Sequence, residues 1–191
     1  MKKELKDLTI QEFSEYNDML SMDEPDIFGI FELFGMDAKD MPMDKFQKNW
    51  TKIQQMVLTP TVGVNKIYKI KGRRFKIKLN YLKLSAGQFI DFQSYMRDFK
   101  LEEILSVFMI PQYRKWGKWR THKYNDGYDI IEVQDFLLKN MTIGTAQSIT
   151  DFFFKSSLKS LEVMKAFSEK KEWQMRAKRL KMLEQEDNLH G

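Results

Sequence analysis

Between Val62 and Leu84 the chain carries eight Lys or Arg residues and no acid: Lys66, Lys69, Lys71, Arg73, Arg74, Lys76, Lys78 and Lys83. Such a run binds negative charge, and along a phosphate backbone its affinity would come from counterion release. A second stretch, Pro111 to Tyr124, interleaves Arg114, Lys115, Lys118, Arg120 and Lys123 with Tyr113, Trp116, Trp119 and Tyr124. Aromatic rings stack on bases while cations hold phosphates. Trp, Tyr and Arg are equally the residue types enriched at protein-interface hot spots. The candidate contact residues are Lys69, Lys71, Arg73, Arg74 and Lys76 in the first stretch, and Arg114, Trp116, Trp119 and Arg120 in the second. For both stretches the residues leave open a protein partner, a nucleic acid, and a face that is only solvated or packed.

An acidic counterpart lies upstream. Residues 1–45 hold 5 Lys/Arg against 12 Asp/Glu, a net of −7, whereas residues 46–191 hold 27 against 15, a net of +12. Within the acidic part, Phe28, Phe31 and Phe34 recur every third residue between Asp26 and Gly35. That spacing fits a docking peptide that lays its apolar side in a partner's groove. It equally fits one more short helix on the chain's own core. The run from Lys170 to Lys181 is again basic, with a thin apolar stripe, and reads as a basic helix on a partner or as a solvated terminal helix.

Catalytic and metal chemistry find few candidates. The two histidines, His122 and His190, lie far apart in sequence, cysteine is absent, and no His-x-x-x-His or Glu-x-x-His pair occurs. The nine glycines form no phosphate-binding loop. Asp129, Glu132 and Asp135 are close in sequence but fit a solvated helix face. The expectation is a protein without enzymatic activity, cofactor or metal. The lack of cysteine fits a reducing compartment, and no apolar run reaches the roughly 20 residues of a membrane span. The first residues include two lysines but no apolar segment of a secretory signal.

The elements that must position these residues are mostly helical. Thr9-Ile-Gln-Glu12 and Ser85-Ala-Gly-Gln88 have capping-box spacing and predict helices over about 10–21 and from 86 onward. Phe46, Trp50, Ile53 and Val57 mark one stripe of a helix over 43–58, ended by Pro60. Phe89, Phe92, Met96 and Phe99 mark the helix after Ser85. A further helix is expected over 101–110, with Ile104, Leu105 and Phe108 inward, stopped by Pro111. Residues 112–129 then read as a loop, 130–141 as a helix, and Thr142 or Thr145 as the cap of a long last helix. Residues 67–79 alternate apolar with basic, and Gly72-Arg73 predicts a two-residue turn pairing Ile70 with Phe75 and Tyr68 with Ile77. The fold class expected is mainly α with one inserted antiparallel β-hairpin (α+β). The expected organisation is an acidic arm over 1–45, a core over 46–168 with the hairpin at 66–80, and a basic tail over 169–191.

Four phrases carry a family resemblance: Lys83-Leu-Ser-Ala-Gly-Gln-Phe-Ile-Asp-Phe92, Phe108-Met-Ile-Pro111, Asn125-Asp-Gly-Tyr-Asp129 and Phe152-Phe-Phe-Lys-Ser-Ser-Leu-Lys159. Over about residues 62–168 the chain resembles proteins of the virion and tail modules of tailed phages of Bacteroidetes, including crAss-like phages. The resemblance implies a virion structural protein or an internal cargo protein of the portal and tail region, assembled in the host cytoplasm. Its partners would be copies of itself, other virion proteins and packaged DNA. A tail-assembly chaperone that leaves the mature particle, and a nucleic-acid-binding protein using the basic hairpin and Trp/Arg stretch, are the alternatives. The shared phrases mark helix starts and aromatic positions, so no functional residue carries over.

Overall fold

The computed structural model describes residues 4–59, 63–78, 83–156 and 158. The chain divides into two units, Met1–Phe152 and Phe153–Gly191. Of the second, residues 153–156 and 158 are described and are helical. The expected basic tail over 169–191, and Pro60, lie outside the described residues.

In the first unit, a short 3-10 turn at Leu5–Asp7 leads into α1, Ile10–Ser21. The Thr9 hydroxyl accepts from the Glu12 N–H at 3.1 Å, and the Glu12 carboxylate accepts from the Thr9 N–H at 2.8 Å. This reciprocal cap is the one the sequence predicts. Asp26 caps α2, Ile27–Leu33, by accepting from the Gly29 N–H at 2.9 Å. Helix α3 spans Met43–Gln54 and stops short of the expected residue 58. Val57, expected on its inward stripe, is 78% exposed. After the first hairpin come α4, Ala86–Asp98, and α5, Leu101–Phe108; α6, Ile130–Asn140, and α7, which begins at residue 143, are the last helices among the described residues.

The 1–45 segment is not an arm. The Ile10 N–H donates to the Met141 carbonyl at 3.0 Å and the Ile143 N–H to the Leu8 carbonyl at 2.7 Å, which stitches the first turn to the α6–α7 junction. Leu5, Leu8, Tyr16, Ile30, Phe31, Phe34 and Ile53 form one buried cluster with Ile143. Phe31 stacks on Phe46 at 4.9 Å between ring centroids, and Tyr16 meets Phe34 edge-on at 6.0 Å. Two of the three docking candidates, Phe31 and Phe34, are therefore wholly buried, and only Phe28 stays exposed. The three-residue spacing is that of a short helix packed on its own core.

The sheet corrects the expectation of a single hairpin. Strands β1, Ile67–Ile70, and β2, Arg73–Ile77, pair as expected in kind, but β3, Met109–Lys115, and β4, Lys118–Thr121, add a second hairpin. All neighbours are antiparallel, in the order β1-β2-β3-β4. The first turn is Lys71-Gly72, not Gly72-Arg73, so Tyr68 faces Phe75 and Ile70 faces Arg73. Both turn residues have positive φ, 43° and 82°, as a type I′ turn requires. The register moves by two residues in sum, so the side-chain faces are those expected although the partners differ.

Helix α5 passes into β3 without a loop. Its last five residues, Ile104–Phe108, are all buried, and it packs on both α4 and α6. A helix that ends inside a core must dispose of its last carbonyls. The Val107 carbonyl accepts from Gln88 Nε2 at 2.6 Å, and the Phe108 carbonyl from the Lys78 N–H at 3.3 Å. Gln88, itself fully buried, also accepts from Lys78 Nζ at 2.7 Å and from the Ser85 N–H at 3.2 Å. Pro111 sits within β3 opposite Phe75, and its carbonyl accepts from the His122 N–H at 3.2 Å where β4 ends. Pro111 lies on an inner strand, but its missing N–H faces His122, just beyond the end of the edge strand β4, where the ladder is already finishing.

Two expectations test this packing. Phe31→Ala should destabilise by about 3–5 kcal/mol in urea unfolding, and Phe28→Ala by less than about 1 kcal/mol. Gln88→Ala should cost about 2 kcal/mol, because the buried Val107 carbonyl loses its donor.

Candidate basic sheet face

Alternation along the four strands sorts the sequence candidates. On one face lie Tyr68, Ile70, Arg73, Phe75, Ile77, Met109, Pro111, Tyr113, Lys115, Lys118 and Arg120; on the other lie Ile67, Lys69, Arg74, Lys76, Ile110, Gln112, Arg114, Trp119 and Thr121, of which Ile110 is fully buried. The first face is covered by α6: Phe75 and Phe136 are 5.8 Å apart, and Arg73 donates to Glu132 at 2.8 Å while lying 4.5 Å over the Phe136 ring. Arg73 thus fastens a helix to the sheet and leaves the candidate set. Arg120 is exposed but pairs with Tyr113 on the α6 side.

The opposite face brings together Lys69, Arg74, Lys76, Arg114 and Trp119. Across its middle the residues Lys69, Arg74, Gln112 and Thr121 stand in one cross-strand row. Arg74 Nε donates to Gln112 Oε1 at 2.8 Å, and Gln112 Nε2 donates to Thr121 Oγ1 at 3.0 Å. The Arg74 guanidinium also lies 5.0 Å over the Trp119 ring. The arginine is therefore oriented before any partner arrives, with its cation–π contact contributing on the order of 0.5–1 kcal/mol. Gln112 and Thr121 were not among the sequence candidates; the period-two alternation of Gln112 and Arg114 was their only signal.

Both hairpin turns project from the same end of the sheet, placing Lys71 beside the second tip, Trp116-Gly117. Trp116 is 85% exposed and has a φ of +50°. A left-handed conformation costs a bulky L-residue about 1–2 kcal/mol, and Trp116 recovers little of it locally. Its one aromatic or cation contact among the described residues is Lys115 Nζ at 4.8 Å.

At the other end, α4 reaches the basic face through Gln88 and through Asp91, which accepts from the Tyr124 hydroxyl at 2.7 Å. Burial, together with this bond, holds the Tyr124 phenol far above its ordinary range, so it stays a neutral donor. Between α4 and the strands lies a cavity of about 450 Å³ lined by Lys76, Lys78, Ser85, Thr121, His122, Lys123 and Tyr124. No carboxylate lines it. Gly127 leaves room for the His122 ring: its φ is +78°, and a Cβ there would stand 2.7 Å from His122 Nδ1.

Among the described residues no group of three or more His, Cys, Asp or Glu side chains is placed to hold a metal ion, and no helix is long and apolar enough to cross a membrane. What the arrangement offers chemically is a pre-oriented cationic surface with indole rings toward its tip end, Trp119 beside Arg114 and Trp116 in the turn. Trp116→Asn should raise stability by up to about 1 kcal/mol, measured by urea unfolding, since Asn tolerates the left-handed turn.

No protein-family model, curated protein or solved structure matches this chain.

Proposed function

We propose that this chain is a non-catalytic binding and assembly protein that holds a polyanionic partner on the open face of its sheet. The observation that carries the proposal is the composition of the four strands. They contain eight Lys or Arg and no Asp or Glu, and four of the eight, Lys69, Arg74, Lys76 and Arg114, lie with Trp119 on the side away from α6. A surface of one sign without internal pairing attracts a partner of the other sign.

The phage resemblance supplies the setting for this proposal. In it the chain is a structural or internal cargo protein of the portal and tail region, present in several copies beside other virion proteins and packaged DNA. The exposed acids of α2 and its flanks, Asp23, Glu24, Asp26, Glu32 and Asp37, favour contacts between copies as a second use of the basic face. A tail-assembly chaperone would use the same face transiently.

Binding to heparin-type or nucleic-acid polyanions should weaken roughly 50- to 150-fold between 50 and 200 mM salt, as about four released counterions require. Lys69→Glu with Arg114→Glu should abolish it while leaving the unfolding midpoint nearly unchanged. Salt-independent binding would contradict the proposal. Mass spectrometry of purified particles tests the setting, with many copies per particle expected for a structural or cargo protein.

A further inference from the structure

We infer that the partner of this face is single-stranded nucleic acid, an inference that rests on the polyanion-binding proposal and names its ligand. Three observations distinguish a single strand from other polyanions. First, the face presents flat rings as well as charge. Trp119 is 45% exposed beside Arg74, and Trp116 is 85% exposed at the tip. A duplex hides the faces of its bases and an acidic peptide has none, whereas an unpaired base stacks on an indole.

Second, the cations are spaced for an extended chain. Arg114 on β3 and then Arg74 and Lys76 on β2 are successive same-face positions, with the buried Ile110 opposite Lys76, and Lys78, bonded to Gln88, follows two residues on. Each step is two residues, about 6.7 Å at the rise of a strand. The track runs straight across about 20 Å, with an aromatic platform at one end. Third, the track does not stop at the sheet's lower edge. It enters the cavity where Lys76, Lys78, Lys123 and His122 converge without a carboxylate. A phosphate seated there would place the preceding nucleotides along the lysine and arginine rows, with bases directed to Trp119 and Trp116.

The Trp116 side chain fits this arrangement, while its backbone takes the positive φ that a two-residue type I′ turn requires, as Lys71 does in the first hairpin. It holds a strained backbone conformation, buries little, and stands where a strand leaving the face would pass. Retained strain at an exposed aromatic residue is expected where the side chain serves binding.

The experiment is fluorescence anisotropy of the full chain at about 50 mM salt with four probes: labelled oligo(dT) and oligo(U) of about 12 nucleotides, a duplex of equal length, and heparin as competitor. Binding of a single strand at least tenfold tighter than the duplex supports the inference, and whichever of oligo(dT) or oligo(U) binds tighter identifies DNA or RNA. Trp119→Ala should weaken the single strand roughly 5- to 100-fold while leaving heparin affinity within about twofold. Trp116→Asn, which relieves strain, should also lower single-strand affinity, so lost binding cannot be ascribed to misfolding. Equal affinity for single strand, duplex and heparin, unmoved by either Trp substitution, overturns the inference and leaves the polyanion proposal standing. Failure to bind any probe overturns both. Self-association seen by light scattering and abolished by Lys69→Glu, without single-strand preference, assigns the face to the acidic surface of a second copy and also overturns the inference.

Discussion

The fold turns on one junction, the place where α5 becomes β3 with no intervening loop. A helix terminus buried in a core leaves carbonyls that water cannot reach. Here Gln88 Nε2 and the Lys78 backbone N–H take the last two, and they come from different elements, α4 and the end of β2. The junction therefore fixes three things together: where α4 begins, how β2 enters the sheet, and which way β3 leaves the core. Because α5 is buried and packed on both α4 and α6, the central strand of the sheet is held at its root. The other end of the sheet, with both hairpin tips, is free to project.

That division between a held root and a free tip explains how a sheet with no acidic residue persists. Like charges across strands repel. The structure offsets this with neutral groups placed between them: Gln112 and Thr121 in the central row, and the Trp119 ring beneath Arg74. On the α6 side, Arg73 finds Glu132 and an aromatic ring. Exposed lysines on β1 and β4 also keep these edges from pairing with other strands. The surface that results is stable yet largely unneutralised, the condition for attracting an anionic chain.

Much of the fold was legible in the sequence where the signal is local. Thr9 with Glu12 and Ser85 with Gln88 mark helix starts because the cap is made within four residues. The mainly helical α+β class and the first hairpin follow from period alone. What was not legible depends on distant partners. Phe31 and Phe34 have the spacing of a docking peptide and of a packed helix alike, and only Phe46, Trp50 and Tyr16 decide between them. The second hairpin escaped because Pro111 reads as a helix stop and Trp116-Gly117 lacks the usual Asn-Gly or Asp-Gly of a type I′ turn. For the site, residue types were legible but not faces. Lys69, Arg74, Lys76, Arg114 and Trp119 proved to share one, whereas Arg73 turned inward to α6 and Arg120 stood with it.

The claim that the open face is the binding surface is most directly tested by nuclear magnetic resonance of the labelled chain titrated with a single-stranded oligonucleotide. The account predicts shifts at the backbone amides of Lys69, Arg74, Gln112 and Arg114 and at the indole N–H groups of Trp116 and Trp119, with α1 to α3 unmoved. Shifts centred on α2 and Phe28, with the strands silent, would contradict it.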